Sequence, residues 1–329
     1  MGCNQEPDAT LMKSKVILRK TNDYNLEEVE TFVRDAVELF SSPNRLFTAG
    51  QKVLLKPNLL IAAAPERCVT THPIVLEAVC KVLKDCGVSH IDIGDSPALG
   101  SLPRVFNKAG YTPLVKRYGV RAVPFSNPVP LDIEEDIPHL KIAGNISEYD
   151  RIVNLPKFKA HQQMTLTLGI KNLFGCVIGK RKPVLHCLVN NDKVKFGRML
   201  VDIAKYVNPC LTIVDGIRAM QGSGPINGNP YALELLAAGQ DLTALDRVMA
   251  DVVKMPLERV YALEAARQRG FGNYEMEHIE LVGGSTLEPF IVSDFRKARS
   301  VDITFNPLRV LKSIFNQFYV VGIKEKFTG

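Results

Sequence analysis

At 329 residues the chain is long enough for one large α/β domain or two ordinary ones with ample core. Hydrophobic residues make up 46% and charged residues 23%, the balance of a globular protein, and the formal net charge is +6. This mild basicity favours an acidic or phosphorylated ligand, while the absence of Trp and of basic runs interleaved with aromatics argues against a nucleic-acid binder.

In chain order, residues 1–14 read as a ragged tail. Lys15–Arg19 is a strand, and Leu26–Phe40 carries apolar residues at helical spacing (Leu26, Val29, Val33, Val37, Phe40). Val53–Leu55 opens an apolar strand that stops at Lys56-Pro57-Asn58. Thr70-Thr71-His72-Pro73 has a helix-start signature, and the helix continues through Leu76, Val79, Val82 and Leu83 to Gly87. His90–Ile93 is a strand ending in Gly94-Asp95-Ser96-Pro97, followed by a helical run to Gly110. Arg121–Phe125 and Arg151–Leu155 are strands, and Phe196–Tyr206 is a helix feeding strand Leu211–Val214, which stops at Asp215-Gly216. A Gly-rich loop, strand Leu233–Ala238, a helix starting near Asp241, a helix from Pro256 to Arg269 and strand Ile279–Val282 complete the pattern.

Short strands alternating with longer amphipathic helices predict an α/β fold: a doubly wound, mainly parallel sheet with helices on both faces, with room for two lobes. The predicted organisation is a tail over 1–14, an α/β domain over 15–286 and an extension over 287–329. The extension has Leu308, Leu311, Phe315 and Phe318 beside Arg309 and Lys312, an amphipathic helix over Leu308–Val321. Docking on the domain is its plain role, with a partner or membrane surface as the alternative.

Ligands of open α/β sheets sit beyond the carboxyl ends of the strands. Those ends carry Lys56 and Asn58, Asp95 and Ser96, Lys157, Lys159 and His161, and Asp215. In an extended segment Lys157, Lys159 and His161 share one face while Phe158 and Ala160 pack inward, which makes a cradle for a carboxylate or phosphate. A solvated strand edge guarded by lysines is the plain alternative. Thr165, Gly169 and Asn172 are expected on one helical stripe with His161, and Lys171 near the end of a helix closed by Gly175. A lysine there also suits the helix dipole without any function.

The segment Gly175–Lys180 fails the phosphate-loop pattern, with three residues between its glycines and Arg181 after the lysine. The loop Gly222–Gly228 is one residue too long for a dinucleotide fingerprint, although Gly222 and Gly224 could present backbone N–H groups to an anion. His161, His186, Cys187, Cys176, Asp95 and Asp215 are competent metal ligands, but no pair has zinc-like spacing, so no metal site is predicted. His72 reads as a helix-start residue, Asp241 as an N-cap, and His90, His139 and His278 as structural.

The seven cysteines form no C-x-x-C pair, so the chain has no iron–sulfur cluster motif, and reduced thiols in a cytoplasmic protein are the simplest reading. The first residues lack a leader's apolar region, Glu6 departs from the myristoylation pattern, and no apolar run is long enough to span a bilayer.

Six segments in fixed order carry a resemblance: K-V-L-L-K-P-N at Lys52–Asn58, T-H-P at Thr71–Pro73, G-D-S-P at Gly94–Pro97, V-N-L-P-K-F-K-A-H at Val153–His161, G-I-K-N-L-F-G-C at Gly169–Cys176, and V-D-G-I-R-A-M-Q-G-S-G-P at Val214–Pro225. Together they resemble the family known as domain of unknown function 362, over roughly residues 50–285. Members often have Thr before the histidine where Ala160 stands, which removes one hydroxyl from the expected site. The resemblance implies an α/β domain and no settled reaction. Many members carry a ferredoxin-type module after this domain, so a redox theme would here require a separate partner protein.

The leading expectation is therefore an enzyme, or a ligand-binding domain derived from one, that holds a small anion at the strand ends. His161 and Lys171 would be catalytic, and Lys56, Asn58, Asp95, Ser96, Lys157, Lys159, Asn172, Asp215, Gly222 and Gly224 would bind the ligand. The alternatives are an accessory to iron–sulfur or metal proteins, working with a ferredoxin-like partner, and a structural interaction protein.

Overall fold

The computed structural model describes residues 13–133, 140–178, 185, 189, 191–283 and 286–301. Its strands are β1 (Ser14–Lys20), β2 (Lys52–Pro57), β3 (His90–Asp95), β4 (Arg121–Pro124), β5 (Pro128–Pro130), β6 (Lys141–Ala143), β7 (Arg151–Leu155), β8 (Lys157–His161), β9 (Thr165–Thr167), β10 (Leu211–Gln221), β11 (Asn229–Gly239) and β12 (Ile279–Leu281). Ten of them build one sheet in the order β12-β1-β11-β10-β7-β2-β3-β4, with β8 paired to β10 and β9 to β8; β5 and β6 form a separate ribbon.

The run β10-β7-β2-β3-β4 is parallel throughout. Chain order rises outward in both directions from the junction of β2 and β7, and such a switch point opens a crevice at the strand carboxyl ends. The mainly parallel α/β sheet expected from the pattern is present. An antiparallel wing joins it, because β11 folds back on β10 and β1 runs against β11.

Side chains alternate across the sheet and feed two cores. Val53, Leu55, Val153 and Leu155 point to the face covered by helices Leu26–Phe40 and Pro73–Asp85. Leu54 and Ile152 point to the other face, beneath helix Lys193–Val207. Val214 and Ala237 meet helix Leu242–Val252 on that same side. Burial on both faces is why these strands read as nearly continuous apolar runs.

Local chemistry sets the helix starts. The Asn25 side chain accepts from the N–H groups of Glu27 and Glu28, whose acids also suit the helix dipole. His72 caps the next helix through Nδ1, and Pro73 occupies its first position. Asp241 caps helix Leu242–Val252, as its position predicted.

Several boundaries differ from the sequence pattern. The helical run to Gly110 is helix Leu102–Lys108, and after the turn at Gly110 comes a helix that the pattern did not mark, Thr112–Tyr118. The expected helix from Pro256 to Arg269 contracts to a 3-10 turn at Leu257–Arg259 and a helix over Tyr261–Gln268. Strand β10 does not stop at Asp215-Gly216 but continues to Gln221, because β11 supplies a ladder partner along that length. The expected C-terminal helix at Leu308–Val321 and the residues His139, His186 and Cys187 lie outside the described residues.

Helix Lys193–Val207 crosses helix Tyr261–Gln268 at Gly197, where a Cβ would stand 2.3 Å from the Tyr261 carbonyl oxygen and 3.0 Å from Ala265 Cβ. Gly197→Ala is expected to lower stability by about 1–3 kcal/mol, because overpacking outweighs alanine's better helix propensity. A urea midpoint equal to or above that of the wild type would show that the two helices can separate without cost.

Candidate functional site

Pro156, which has no N–H to continue the ladder of β7, separates β7 from β8. Its carbonyl accepts from Asp215 N at 2.9 Å, and the chain crosses to pair with β10, placing Lys157 opposite Asp215 and Lys159 opposite Met220. Phe158 and Ala160 enter the core beside Val214 and Leu245. The period-two reading of this segment is therefore correct in direction. Its lysine face is nevertheless not a solvent-facing cradle: Lys157 and Lys159 are fully buried, and so is Lys56.

Two of these ammonium groups are held by strand-end carboxylates. Lys56 Nζ lies 2.9 Å from Asp95 Oδ2 and also donates to Pro57 O at 2.8 Å. Asp95 accepts two further backbone N–H bonds, from Leu59 and Ser96. Lys157 Nζ lies 2.9 Å from Asp215 Oδ2 and donates to the Tyr24 hydroxyl at 2.6 Å. Tyr24 in turn donates to Asp215 Oδ1 at 2.8 Å, while the His72 N–H donates to Oδ2 at 2.8 Å. Burial, and then the Asp215 charge, push the Tyr24 phenol far above its ordinary range, so it stays a neutral donor.

The rings of Tyr24 and His72 stack with centroids 3.5 Å apart and planes 10° from parallel, half-buried above Lys157. Burial pushes the imidazole down to about 4 against the opposing attraction of Asp215, so His72 is neutral at physiological pH.

Lys159 differs from the other two lysines. Its ammonium donates to Asn58 Oδ1 at 2.5 Å and Val69 O at 2.7 Å, both neutral oxygens. Burial first, then the charges of Lys157, Lys171 and Lys56, lower its pKa to about 7, with Asp95 pulling the other way. From Asn58 a chain of amides runs inward. Asn58 Nδ2 donates to Asn172 Oδ1 at 2.7 Å, Asn172 Nδ2 to Asn154 Oδ1 at 2.8 Å, and Asn154 Nδ2 to Gly169 O at 3.0 Å. Each link fixes the rotamer of the next, so the acceptor facing Lys159 is set by backbone four groups away.

Lys56, Asn58, Asp95, Ser96, Lys157, Lys159, Asn172 and Asp215 thus share one cluster. Lys171 stands with Nζ 4.5 Å from the centre of the Phe174 ring and 5.6 Å from that of Phe196, close enough to act on Lys159. His161 is 9% exposed, and its Nδ1 accepts from the N–H groups of Gln163 and Met164, leaving the ring proton on Nε2. That arrangement suits a hydrogen-bond donor better than the expected base.

Two expectations are corrected. His161 and Thr165 do not share a helical stripe with Gly169 and Asn172: they face each other across the β8–β9 pair, and the helix spans only Gly169–Asn172. Gly222 and Gly224 do not offer free N–H groups to an anion, because Gly222 N donates to Arg296 O and Gly224 N to Gly222 O. Among the described residues no three His, Cys, Asp or Glu side chains converge as metal ligands.

Sequence reasoning passed over Tyr24 and the stacking role of His72. Tyr24 follows the carboxyl end of β1, so the strand-end rule applied there as well, but β1 joins through an antiparallel pair and the pattern did not mark it as part of the same edge.

The motif-bearing strands β3, β7, β8 and β10, and all of β2 after Lys52, fall within residues 53–251, the stretch that matches the family described as a domain of unknown function (DUF362). The chain belongs to the DUF362 family. It is also 34% identical over 321 residues to a thylakoid-associated protein of Synechocystis sp., an alignment covering 95% of this chain and 97% of the relative. Among solved structures it is similar to the lactate racemase apoprotein from Thermoanaerobacterium thermosaccharolyticum (TM-score 0.43, 18% identity, 70% of this chain and 55% of that one). A protein from Thermotoga maritima is similar to the same degree (TM-score 0.43, 14% identity, 76% of this chain and 60% of that one). The DUF362 chain has no helix, among the described residues, long and apolar enough to cross a membrane.

The Lys159 geometry gives a signed pH dependence. Its pKa is about 7 in the folded protein against about 10.4 for an unperturbed lysine, so between these values the unfolded chain holds the extra proton. Stability from this group therefore rises with pH across that window, and its burial penalty is complete below it. The stability of the wild type minus that of Lys159→Met is expected to climb from pH 7 to 10, by at most about 1.4 kcal/mol per pH unit. Equal slopes for the two proteins in urea titrations at these pH values would remove the shift.

Proposed function

We propose that this protein is an enzyme that holds a small organic anion, a carboxylate or a phosphate, at the carboxyl ends of β2, β7 and β8 and acts on it through the Lys159 amine. One observation carries the reading. Among the described residues of this cluster, Lys56, Lys157 and Lys159 are buried against only two buried carboxylates, Asp95 and Asp215. Burying unpaired charge is costly, so a third ammonium among neutral oxygens either loses its proton or gains an anion. An amine whose pKa lies near 7 exchanges its proton readily and suits general acid–base work.

The surrounding groups have distinct parts in this reading. Asn58 and Asn172 orient the ligand and the amine. Lys171, half-buried on its aromatic rings, adds positive charge at the same place. The neutral Tyr24–His72 stack screens the Lys157–Asp215 pair from water. We place the protein in the cytoplasm, which suits cysteines that stand outside disulfides at Cys68, Cys80, Cys86, Cys176 and Cys210. Association with a thylakoid, as the name of the Synechocystis relative states of that protein, is compatible with the same reading.

The test is a thermal-shift screen of small carboxylates and phosphates against the wild type and Lys159→Met, at pH 6 and pH 8. At least one anion is expected to raise the melting temperature, more strongly at pH 6 where Lys159 is protonated, with the effect lost in the variant. No response to any anion, or an equal response from Lys159→Met, would overturn the assignment.

A further inference from the structure

We propose that the ligand carries a carbonyl as well as its negative charge, and that the Lys159 amine condenses with that carbonyl to form a Schiff base; this rests on the anion-binding reading above. The ligand class is a small oxo acid.

The argument begins with what surrounds Nζ. Its hydrogen-bond acceptors, Asn58 Oδ1 and Val69 O, are neutral, so no carboxylate hydrogen-bonds to it as Asp95 and Asp215 do to Lys56 and Lys157. The charged groups that act on it come from each neighbouring element: Lys157 on its own strand, Lys56 on β2, Lys171 on helix Gly169–Asn172, and Asp95 on β3. Three are cations and one is an anion. A lysine desolvated beside other cations is the arrangement that yields a nucleophilic neutral amine. Consistent with this, burial and then the neighbouring cations push the Lys159 amine down to about 7. The amine is also one side chain below the surface, because its partner Asn58 is only partly buried.

The chemistry balances without an oxidant or reductant. The Nζ lone pair attacks the carbonyl carbon, a C–N bond forms, and the π pair moves to oxygen, which takes up a proton. The carbinolamine nitrogen then gives up one of its protons to the hydroxyl, water leaves as the C–O bond breaks, and a protonated imine remains. In sum, amine, carbonyl and one proton give an iminium and one water. That proton comes from solvent, which reaches the neighbourhood through the partly buried Asn58. Condensation fixes a positive charge on a nitrogen that this site leaves without a carboxylate. A carboxylate in the same ligand neutralises it, which is why an oxo acid fits better than a simple aldehyde or a simple carboxylate.

Glyoxylate, the smallest oxo acid, is the probe. Full-length protein is incubated with glyoxylate and cyanoborohydride at pH 7, digested, and each lysine is scored by mass spectrometry for the carboxymethyl adduct, with and without excess acetate or phosphate. Lys159 is expected to be modified on the order of tenfold or more above exposed lysines, whose amines are almost wholly protonated at this pH. Adduct at Lys159 that acetate or phosphate suppresses supports both readings. Adduct at Lys159 that neither anion suppresses supports the Schiff base and speaks against the anion site. Modification of Lys159 no greater than that of exposed lysines overturns the Schiff base, whatever the thermal-shift screen shows. The site is mapped on the wild-type protein, so the result does not depend on the folding of a variant; Lys159→Arg, where it folds, is expected to lose the adduct and keep the charge.

Discussion

The structure at this edge of the sheet depends on two lysine–carboxylate pairs removed from water, Lys56 with Asp95 and Lys157 with Asp215. Each joins the ends of two different strands, β2 to β3 and β8 to β10. Taking both partners out of water costs several kcal/mol per ion, and the pair is tolerable only when further hydrogen bonds satisfy the remaining valences. That requirement explains much of the neighbourhood. Asp95 collects the N–H groups of Leu59 and Ser96, and Asp215 collects the Tyr24 hydroxyl and the His72 N–H. It also explains Gly175, where a Cβ would fall 2.5 Å from both Lys56 Nζ and Asp95 Oδ1. The sequence places a glycine there because the ion pair occupies the space of a side chain, not because a helix ends there.

A further buried carboxylate does comparable work from the opposite side. Asp246, on helix Leu242–Val252, accepts the N–H groups of Gly169 and Ile170 at 2.7 and 3.0 Å. These open the short helix Gly169–Asn172, and an acceptor there satisfies donors that have no partner within the helix. Burial pushes Asp246 up to about 7 even though both N–H bonds favour its charged form. The helix so anchored carries Asn172, which reaches Asn58, Asn154 and the carbonyl of Lys56. Asp246 is therefore a positioning residue for the cluster, although it touches none of the lysines.

The sequence made the sheet legible because its strands are apolar runs and its helices have clear starts: helix Leu26–Phe40 has the bounds its spacing predicts. The strand-end rule likewise brought Lys56, Asp95, Lys157 and Asp215 to one place. What it could not convey was the pairing among them. Four charged residues at strand ends read equally well as a cradle open to an anion or as a set that satisfies itself. The choice depends on the crossing of β8 to β10, which one proline sets and which no periodicity displays. The antiparallel wing was hidden for a similar reason. Strand Leu233–Ala238 looks like any buried strand, and only the position of its partners shows that it runs backwards. Tyr24 escaped because a tyrosine in a short loop carries no local pattern.

The neutral surroundings of Lys159 are the more telling result of this arrangement. A third carboxylate beside Asn58 would have completed the pairing and made a wholly structural site. Instead the fold places a carbonyl and an amide oxygen there, and it fixes the amide by a relay through Asn172 and Asn154 to the backbone at Gly169. Such a relay is rigid, and rigidity matters because a mobile acceptor could swing aside and let water solvate the ammonium. Held in this way, the amine is kept dry among cations, with its partners prevented from relaxing around its charge. The paired lysines act unequally on it. Lys157 adds repulsion at Lys159 Nζ after the dominant effect of burial, whereas at the other pair the attraction of Asp95 outweighs the repulsion of Lys56. The tuning of this amine therefore comes from burial first and then from Lys157 and Lys171, while the Lys56–Asp95 pair serves to close the core.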